Sequence, residues 1–370
     1  MGSSLGVQKL TPELVDRFSR QMLLREIGLE GQVRLLNSRV AIVGCGATGS
    51  TAAEMLARMG VGYLRIIDGD FVELSNLQRV HMLDEDDVFL PKSVACRRKL
   101  ERISSIAKID ALVARLEPSN VEGLLQGVDL IIDATDNMET RHLINEFAVK
   151  AGIPWIYVGV ERWYGMVMPV VPGKTACLSC VLSRRLRPRP NACEMLGVSA
   201  TTVAMTVSVA VTLALKLLLG REVDSAVYVI DAYSPSIEVV KVLRSENCPV
   251  CSHRRFELLS RRETPPRAAV VCGSNQVEVR PPLPAEVDTH SIAKLPEVSV
   301  IRAVEEVAVV EYKGHKIAVF RDGRAIVMET QDVDKAEKLY MELFDKMARM
   351  GAARTGEGQR ANLSRRQPAG

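Results

Sequence analysis

Residues 41–50, AIVGCGATGS, run from a buried apolar stretch into a glycine turn and then into small residues suited to a helix start. Gly44, Gly46 and Gly49 fit the spacing G-x-G-x-x-G. In that pattern the glycines let backbone approach a phosphate, while the helix N-terminus supplies N–H donors and a favourable dipole. A chain built this way is committed to a strand–turn–helix at the end of a parallel sheet. The motif alone does not choose between NAD, FAD and ATP.

The pattern around it extends the same architecture. Apolar spacing predicts helix over 11–37, a strand at 39–43, a helix over 48–59, a strand at 63–68 and a long polar connection through 91. Pro91, where a missing N–H is harmless, opens a helix over 91–105. Strands KIDALVA and VDLIIDATD, a helix over 138–150 and the strand PWIYVGV follow. Strand alternating with helix means an α/β fold, Rossmann-like, with a mostly parallel, helix-covered sheet. From residue 160 the pattern turns to hairpin-like strands, an Arg- and Pro-rich loop, a long apolar segment and strands near 226–231 and 236–243. The break RRETPPRAA separates a first domain, 1–265, from a small β-rich α+β domain, 266–350, closed by a helix; the polar residues 351–370 are expected to be disordered.

Charge and cysteine usage narrow the function classes. The 48 Lys and Arg against 45 Asp and Glu leave a net charge of +3, so no global field points to nucleic acid or a membrane surface. The first twenty residues carry no signal-type apolar stretch, which predicts a cytoplasmic protein. Its eight cysteines are then expected in metal binding, catalysis or burial rather than in disulfides, with Cys45, Cys96 and Cys272 filling core or turn positions. Residues 199–220 are apolar for nearly the length of a bilayer. Their Ala, Ser and Thr content, Lys216 and the stop at Gly220 read as a helix of a core or subunit interface instead.

Two constellations carry chemistry. Cys177 and Cys180 in CLSC, with Cys248 and Cys251 in CPVC, offer four thiolates for a closed tetrahedral Zn²⁺ site that would clip two distant segments together; two unrelated buried or redox pairs are the alternative. The second lies on the nucleotide unit. Asp68 is placed to hold a ribose of any of the three nucleotides, but DGDFVELSNLQR adds Asp70, Asn76, Gln78 and Arg79, and Lys92 opens the next helix. Cations converging on a glycine-turn phosphate site suit attack on the α-phosphate of a triphosphate, which a dehydrogenase has no use for. Asp133 and Asp136, in DATDN, end an apolar strand on the side where open α/β sheets bind ligands, and Asp136 suits Mg²⁺.

The motifs RFSRQ, GCGATGS, DGDFVELSNLQR, PKS, DATDN, CLSC and CPVC, in this order over about 17–260, resemble the ThiF/MoeB/HesA family, prokaryotic relatives of ubiquitin-activating enzymes. The resemblance implies an adenylyltransferase that uses MgATP to activate the C-terminal glycine of a ubiquitin-like protein ending in Gly-Gly. It implies that Gly44, Gly46, Gly49 and Asp68 hold the nucleotide, that Asn76, Arg79 and Lys92 address its phosphates, and that Asp136 holds Mg²⁺. Arg20 of RFSRQ matches the arginine that reaches into a partner subunit's ATP site, which implies a homodimer. Cys193, in a loop with Arg184, Arg185, Arg187 and Arg189, is a candidate for a thioester or acyl-disulfide that hands the carrier to a sulfur donor or conjugating enzyme. Residues 267–350 lack the active-loop cysteine of an appended sulfurtransferase domain, and docking of the carrier or a downstream enzyme is the role expected of them. The alternatives are a noncatalytic scaffold subunit of the same fold, opposed by a complete set of ATP-site residues, and an oxidoreductase, opposed by Arg79, Lys92 and the four cysteines.

Overall fold

The structure, a computed structural model, describes residues 9–182, 197–261, 267–271 and 275–355. These residues divide into two compact units, the first ending at 261 and the second beginning at 267.

The first unit opens with Pro12–Met22 (α1) and Gly28–Leu36 (α2). The helical stretch expected over 11–37 is therefore split, at a turn that ends on Gly28 with φ +56°, a left-handed conformation a helix interior does not hold. Thr11 caps α1, its hydroxyl accepting from Leu14 N–H, and Pro12 fills the first helical position. The nucleotide-type unit follows as Arg39–Val43 (β1), Ala47–Arg58 (α3), Tyr63–Asp68 (β2), Lys92–Ile103 (α4), Lys108–Val113 (β3), a short Val121–Leu125 (α5), Leu130–Asp133 (β4), Met138–Ala151 (α6) and Trp155–Glu161 (β5). Tyr164–Val170 (β6), Leu178–Val181 (α7), Ala200–Leu218 (α8), Ala226–Asp231 (β7) and Ser236–Lys241 (β8) complete it.

One eight-stranded sheet, ordered β3-β2-β1-β4-β5-β6-β7-β8, organises the unit. From β3 to β5 every pairing is parallel, and β6, β7 and β8 join antiparallel. The strand order reverses between β1 and β4, so the crevice beyond their carboxyl ends is the ligand position of this architecture. The central strands are continuous apolar runs because helices cover both faces; Val40, Ala41, Ile42, Leu64, Ile66, Leu130, Ile131 and Ile132 are each 0% exposed. By length and composition α8 alone among the described helices could cross a membrane. It packs instead on α3, β5 and β6, burying Thr202, Val203, Thr206, Val207, Ala210 and Val211 and leaving Thr201, Ser208, Thr212 and Lys216 exposed.

In the second unit a six-stranded sheet brings together Ala268–Val270 (β9), Gln276–Val279 (β10), Val298–Val304 (β12), Val307–Tyr312 (β13), His315–Phe320 (β14) and Ala325–Met328 (β15). Val333–Arg349 (α10) buries Leu339, Tyr340, Leu343, Phe344 and Met347 in its core. The remaining strand Ala285–Val287 (β11) pairs with Ala353–Thr355 (β16), and the short helix Thr289–Ile292 (α9) follows β11. Disorder expected from 351 does not hold for Ala353–Thr355, which are held by strand hydrogen bonds; residues 356–370 lie outside the described residues.

The glycine turn is tight at one glycine and open at another. A Cβ on Gly49 would come 1.9 Å from the Gly44 carbonyl oxygen, whereas one on Gly46 meets nothing within 4 Å. Gly49→Ala is therefore expected to cost about 1–3 kcal/mol and to lower Tm by several degrees, while Gly46→Ala leaves Tm within about 2 °C of wild type. Thermal unfolding followed by circular dichroism checks the pair; equal Tm for the two variants would contradict the close approach.

Candidate functional site: a nucleotide crevice and a four-cysteine clip

Four segments meet beyond the carboxyl ends of β1, β2 and β4. Gly44, at φ +89°, turns the chain out of β1; its missing Cβ would lie 2.6 Å from Ala134 O, so the turn presses against the loop after β4. Gly46 is the N-cap of α3, and no side chain caps that helix. An uncapped twelve-residue helix with open space over its cap residue presents backbone N–H groups and the positive end of its dipole to an anion. These features fit a phosphate-bearing ligand.

Asp68, the last residue of β2, is 8% exposed and accepts from Cys45 N–H at 2.6 Å and from Asp70 N–H at 2.8 Å. Burial pushes its pKa up, opposed first by the Lys92 ammonium. Lys92, in the first turn of α4, lies 3.5 Å from Asp70 with its side chain 18% exposed. Burial alone would lower its pKa, but the negative charges of Asp70, Asp68, Asp136 and Glu73 outweigh that and hold it above the ordinary lysine value. A single ammonium thus faces four carboxylates. That excess of hard oxygen donors suits a divalent cation such as Mg²⁺, with Asp136, exposed on the loop after β4, best placed as a ligand.

The remaining sequence candidates are spread around this centre. Asn76 and Arg79 belong to the turn after β2: the Asn76 side chain accepts from Glu73 N–H at 3.2 Å, and the Arg79 guanidinium donates to Ser75 O at 3.0 Å. Gln78 is exposed. Arg20 is exposed in the last turn of α1. Cys193 and Cys272 lie outside the described residues.

Arg115 and Arg141 carry no motif of their own, and they act on Asp70 and on Asp133 of DATDN. Arg115 donates to Asp70 at 2.8 Å, which leaves Asp70 shared between two cations. Asp133 is fully buried; burial raises its pKa to about 6 against the pull of Arg141, 3.7 Å away. Arg141 also donates to Thr135 O and to Tyr157 Oη, tying the Asp136 loop to β5. Sequence spacing has no signal for Arg115, because sheet order alone brings Asp70 near it, whereas Arg141 reaches back from α6 to the loop that precedes that helix. Cys45 and Cys96 are a correction. Both are buried, as fillers would be, yet they are joined in a disulfide that the expected reducing setting argued against. The fold sets the end of β1 beside α4, across 51 residues of sequence.

The four motif cysteines converge. Sulfur separations are 3.9 Å for Cys177–Cys180, 3.6 Å for Cys177–Cys248 and 3.5 Å for Cys180–Cys251, and all four sulfurs lie within 4.8 Å of one another. A tetrahedral Zn–S₄ centre with bonds near 2.3 Å has edges of about 3.8 Å. Sharing of a proton within the cluster pulls Cys180 down to about 4 and pushes Cys177 up, and burial raises Cys248. A dication held by the four sulfurs would favour the thiolate form that the surroundings disfavour at Cys177 and Cys248. Two consecutive residues of α6 hold the clip. Asn145 accepts from Leu178 N–H at 3.0 Å and its amide lies 3.7 Å from Cys177 Sγ; Glu146, 0% exposed, accepts from Leu258 N–H at 2.8 Å and Leu259 N–H at 3.1 Å.

Comparison with known proteins points the same way. The ThiF family profile matches residues 18–250. A sulfur carrier protein ThiS adenylyltransferase of Bacillus subtilis is 37% identical over 337 residues, 88% of this chain and 98% of that protein. That alignment is longer than the first unit and so extends into the second. A SAMP-activating enzyme E1 of Haloferax volcanii is 35% identical over 64% of this chain and 88% of its own length, and the Escherichia coli ThiS adenylyltransferase 34% identical over 64% and 94%. Among solved structures, E. coli MccB bound to MccA-N7isoASN superposes with a TM-score of 0.57 at 23% identity, covering 64% of this chain and 74% of that one, which shows a shared fold.

The clip is directly testable. Metal analysis is expected to return one zinc per chain, and Cys177→Ala or Cys248→Ala to lose the metal and several degrees of Tm. Metal-free wild-type protein of equal stability would contradict the site.

Proposed function

The chain belongs to the ThiF family, and from that premise we infer that it is an ATP-dependent adenylyltransferase activating a ubiquitin-like sulfur carrier. The observation that carries this reading is the convergence of an open, uncapped helix N-terminus with Lys92 and the carboxylates of Asp68, Asp70 and Asp136 at one sheet edge. The relatives' names supply the class of substrate.

The chemistry asks little of the protein beyond placement. A C-terminal carboxylate, with a pKa near 3.5, is already ionised at neutral pH, so no general base is needed. Its oxygen attacks the α-phosphorus, forming the acyl-phosphate bond as the bond to pyrophosphate breaks. The loop at Gly44 and Gly46 and the N-terminus of α3 receive phosphate oxygens, Asp68 holds the ribose, and Lys92 and Arg79 offset charge on the phosphoryl groups and the leaving pyrophosphate. Mg²⁺ at Asp136 would add charge neutralisation there.

The finer parts of the reading are a Gly-Gly ending on the carrier, a homodimer in which Arg20 enters the neighbouring subunit's site, and onward transfer to a sulfur donor or conjugating enzyme in the cytoplasm. A protein-sized substrate is supported by β8, whose six residues are all exposed and whose outer edge pairs with no described strand. Ile237, Val239 and Val240 on that strand, with Tyr233 at its turn, form an apolar edge suited to docking another sheet.

ATP–pyrophosphate exchange is expected only when a Gly-Gly carrier is present, and Asp136→Ala is expected to reduce it at least 100-fold. Undiminished exchange in that variant would take Asp136 out of the reaction. Mixing Arg20→Ala with Asp136→Ala chains is expected to recover part of the activity each lacks; no recovery in a verified mixed dimer would mean that one chain builds each site.

A further inference from the structure

No step of the proposed phosphoryl transfer uses the sulfurs of the Cys45–Cys96 disulfide, yet the bond anchors the glycine loop of the nucleotide crevice. Cys45 lies between the loop glycines Gly44 and Gly46, and its N–H donates to Asp68 Oδ2 at 2.6 Å. Cys96 follows Lys92 by four residues on α4, so the bond and the ammonium share one helix face. One covalent tie therefore joins the phosphate loop to the helix that supplies the main cation, and a hydrogen bond adds the end of β2. Both cysteines are 0% exposed.

We propose that the Cys45–Cys96 disulfide is a reversible latch that positions the glycine loop against the Lys92 helix, so that ATP affinity follows the thiol–disulfide balance around the protein. This rests on the ATP reading of the crevice. Two unbonded thiols need more room than a bonded pair, and the loop has none to give at Gly44 and Gly49, although it is open at Gly46. Gly49 already touches the Gly44 carbonyl and Gly44 the Ala134 backbone, at positions where even a Cβ would fall at 1.9 and 2.6 Å. Reduction must then displace the loop or α4 rather than be absorbed by packing. The bonded form has its phosphate loop ordered before ligand arrives and binds ATP tighter; the reduced form must order it on binding.

The exchange balances with a small thiol such as glutathione. Its thiolate attacks one protein sulfur, breaking the Cys45–Cys96 bond and forming a mixed disulfide, while the released protein thiolate takes up a proton. A second thiolate attacks the mixed disulfide, expelling the other protein thiolate, which is protonated, and leaving glutathione disulfide. Two electrons pass to the protein, and the reverse reaction with glutathione disulfide restores the latch.

The test uses the full-length, zinc-loaded chain equilibrated in glutathione buffers of graded ratio. Acid trapping, alkylation and peptide mass analysis read the state of Cys45 and Cys96, and calorimetry reads ATP binding without carrier. The reduced protein is expected to bind ATP about tenfold more weakly than the oxidised one. By linkage, saturating ATP then makes the bond harder to reduce by the same factor, about 30 mV in midpoint potential. Cys96→Ala, or Cys96→Ser should the alanine variant fold poorly, is expected to bind like reduced wild type at every ratio. Equal affinity in the two wild-type states, a pair that stays reduced in glutathione disulfide, or a redox response that persists in the Cys96 variant would each overturn the latch alone. ATP binding to neither form would overturn the nucleotide reading and the latch with it.

Discussion

The close backbone approach at the glycine turn is the constraint on which the rest of this structure depends. Gly49 lies against the Gly44 carbonyl, and Gly44 against the backbone at Ala134, so β1, the start of α3 and the loop after β4 meet with no side chain between them. That contact brings the α3 N-terminus to the sheet edge where strand order reverses, and it brings the Asp136 loop to the same place. A helix N-terminus and the Asp136 carboxylate become neighbours because Gly44 and Gly49 leave out their Cβ atoms.

Electrostatics then makes the crevice specific. Lys92 keeps its charge in a largely buried position because Asp70, Asp68, Asp136 and Glu73 surround it. An ammonium buried alone would neutralise instead. The excess of negative charge has partial offsets in Arg115, bonded to Asp70, and Arg141, beside Asp133. Such a cluster is held by mutual satisfaction, so its members cannot be assigned independent energies. Cations and carboxylates side by side match the proposed ligand, a polyphosphate that would carry a divalent cation.

Away from the crevice, α6 ties that centre to the antiparallel half of the sheet. Its N-terminal end follows the Asp136 loop, and its Asn145 and Glu146 hold the segments on either side of the four cysteines. Buried polar side chains stitched to backbone N–H groups are expensive to leave unpaired, so both segments are fixed in register against the helix. The four-cysteine clip closes the hairpin half of the fold, and α6 carries its position back to the site.

How much of this was legible in the chain follows from the range of each interaction. Strands β1, β2, β4 and β5 were readable because a strand covered on both faces is a continuous apolar run, and the glycine turn because its spacing encodes a local backbone path. CLSC and CPVC announced four ligands because thiolates in close pairs have few other uses. The split between α1 and α2 hung on one glycine's sign of φ, and Ala353–Thr355 became a strand only through a partner at 285–287, neither of which periodicity registers. The sequence by itself determined the fold class, the chemistry of the loop and the metal donors, all properties of residue type at short spacing. It took the tertiary structure to decide that Arg115 serves the acidic cluster, that Asn145 and Glu146 hold the clip, and that Cys45 bonds Cys96, because each of these pairings crosses from one element to another by a distance that sheet order, and not sequence separation, sets.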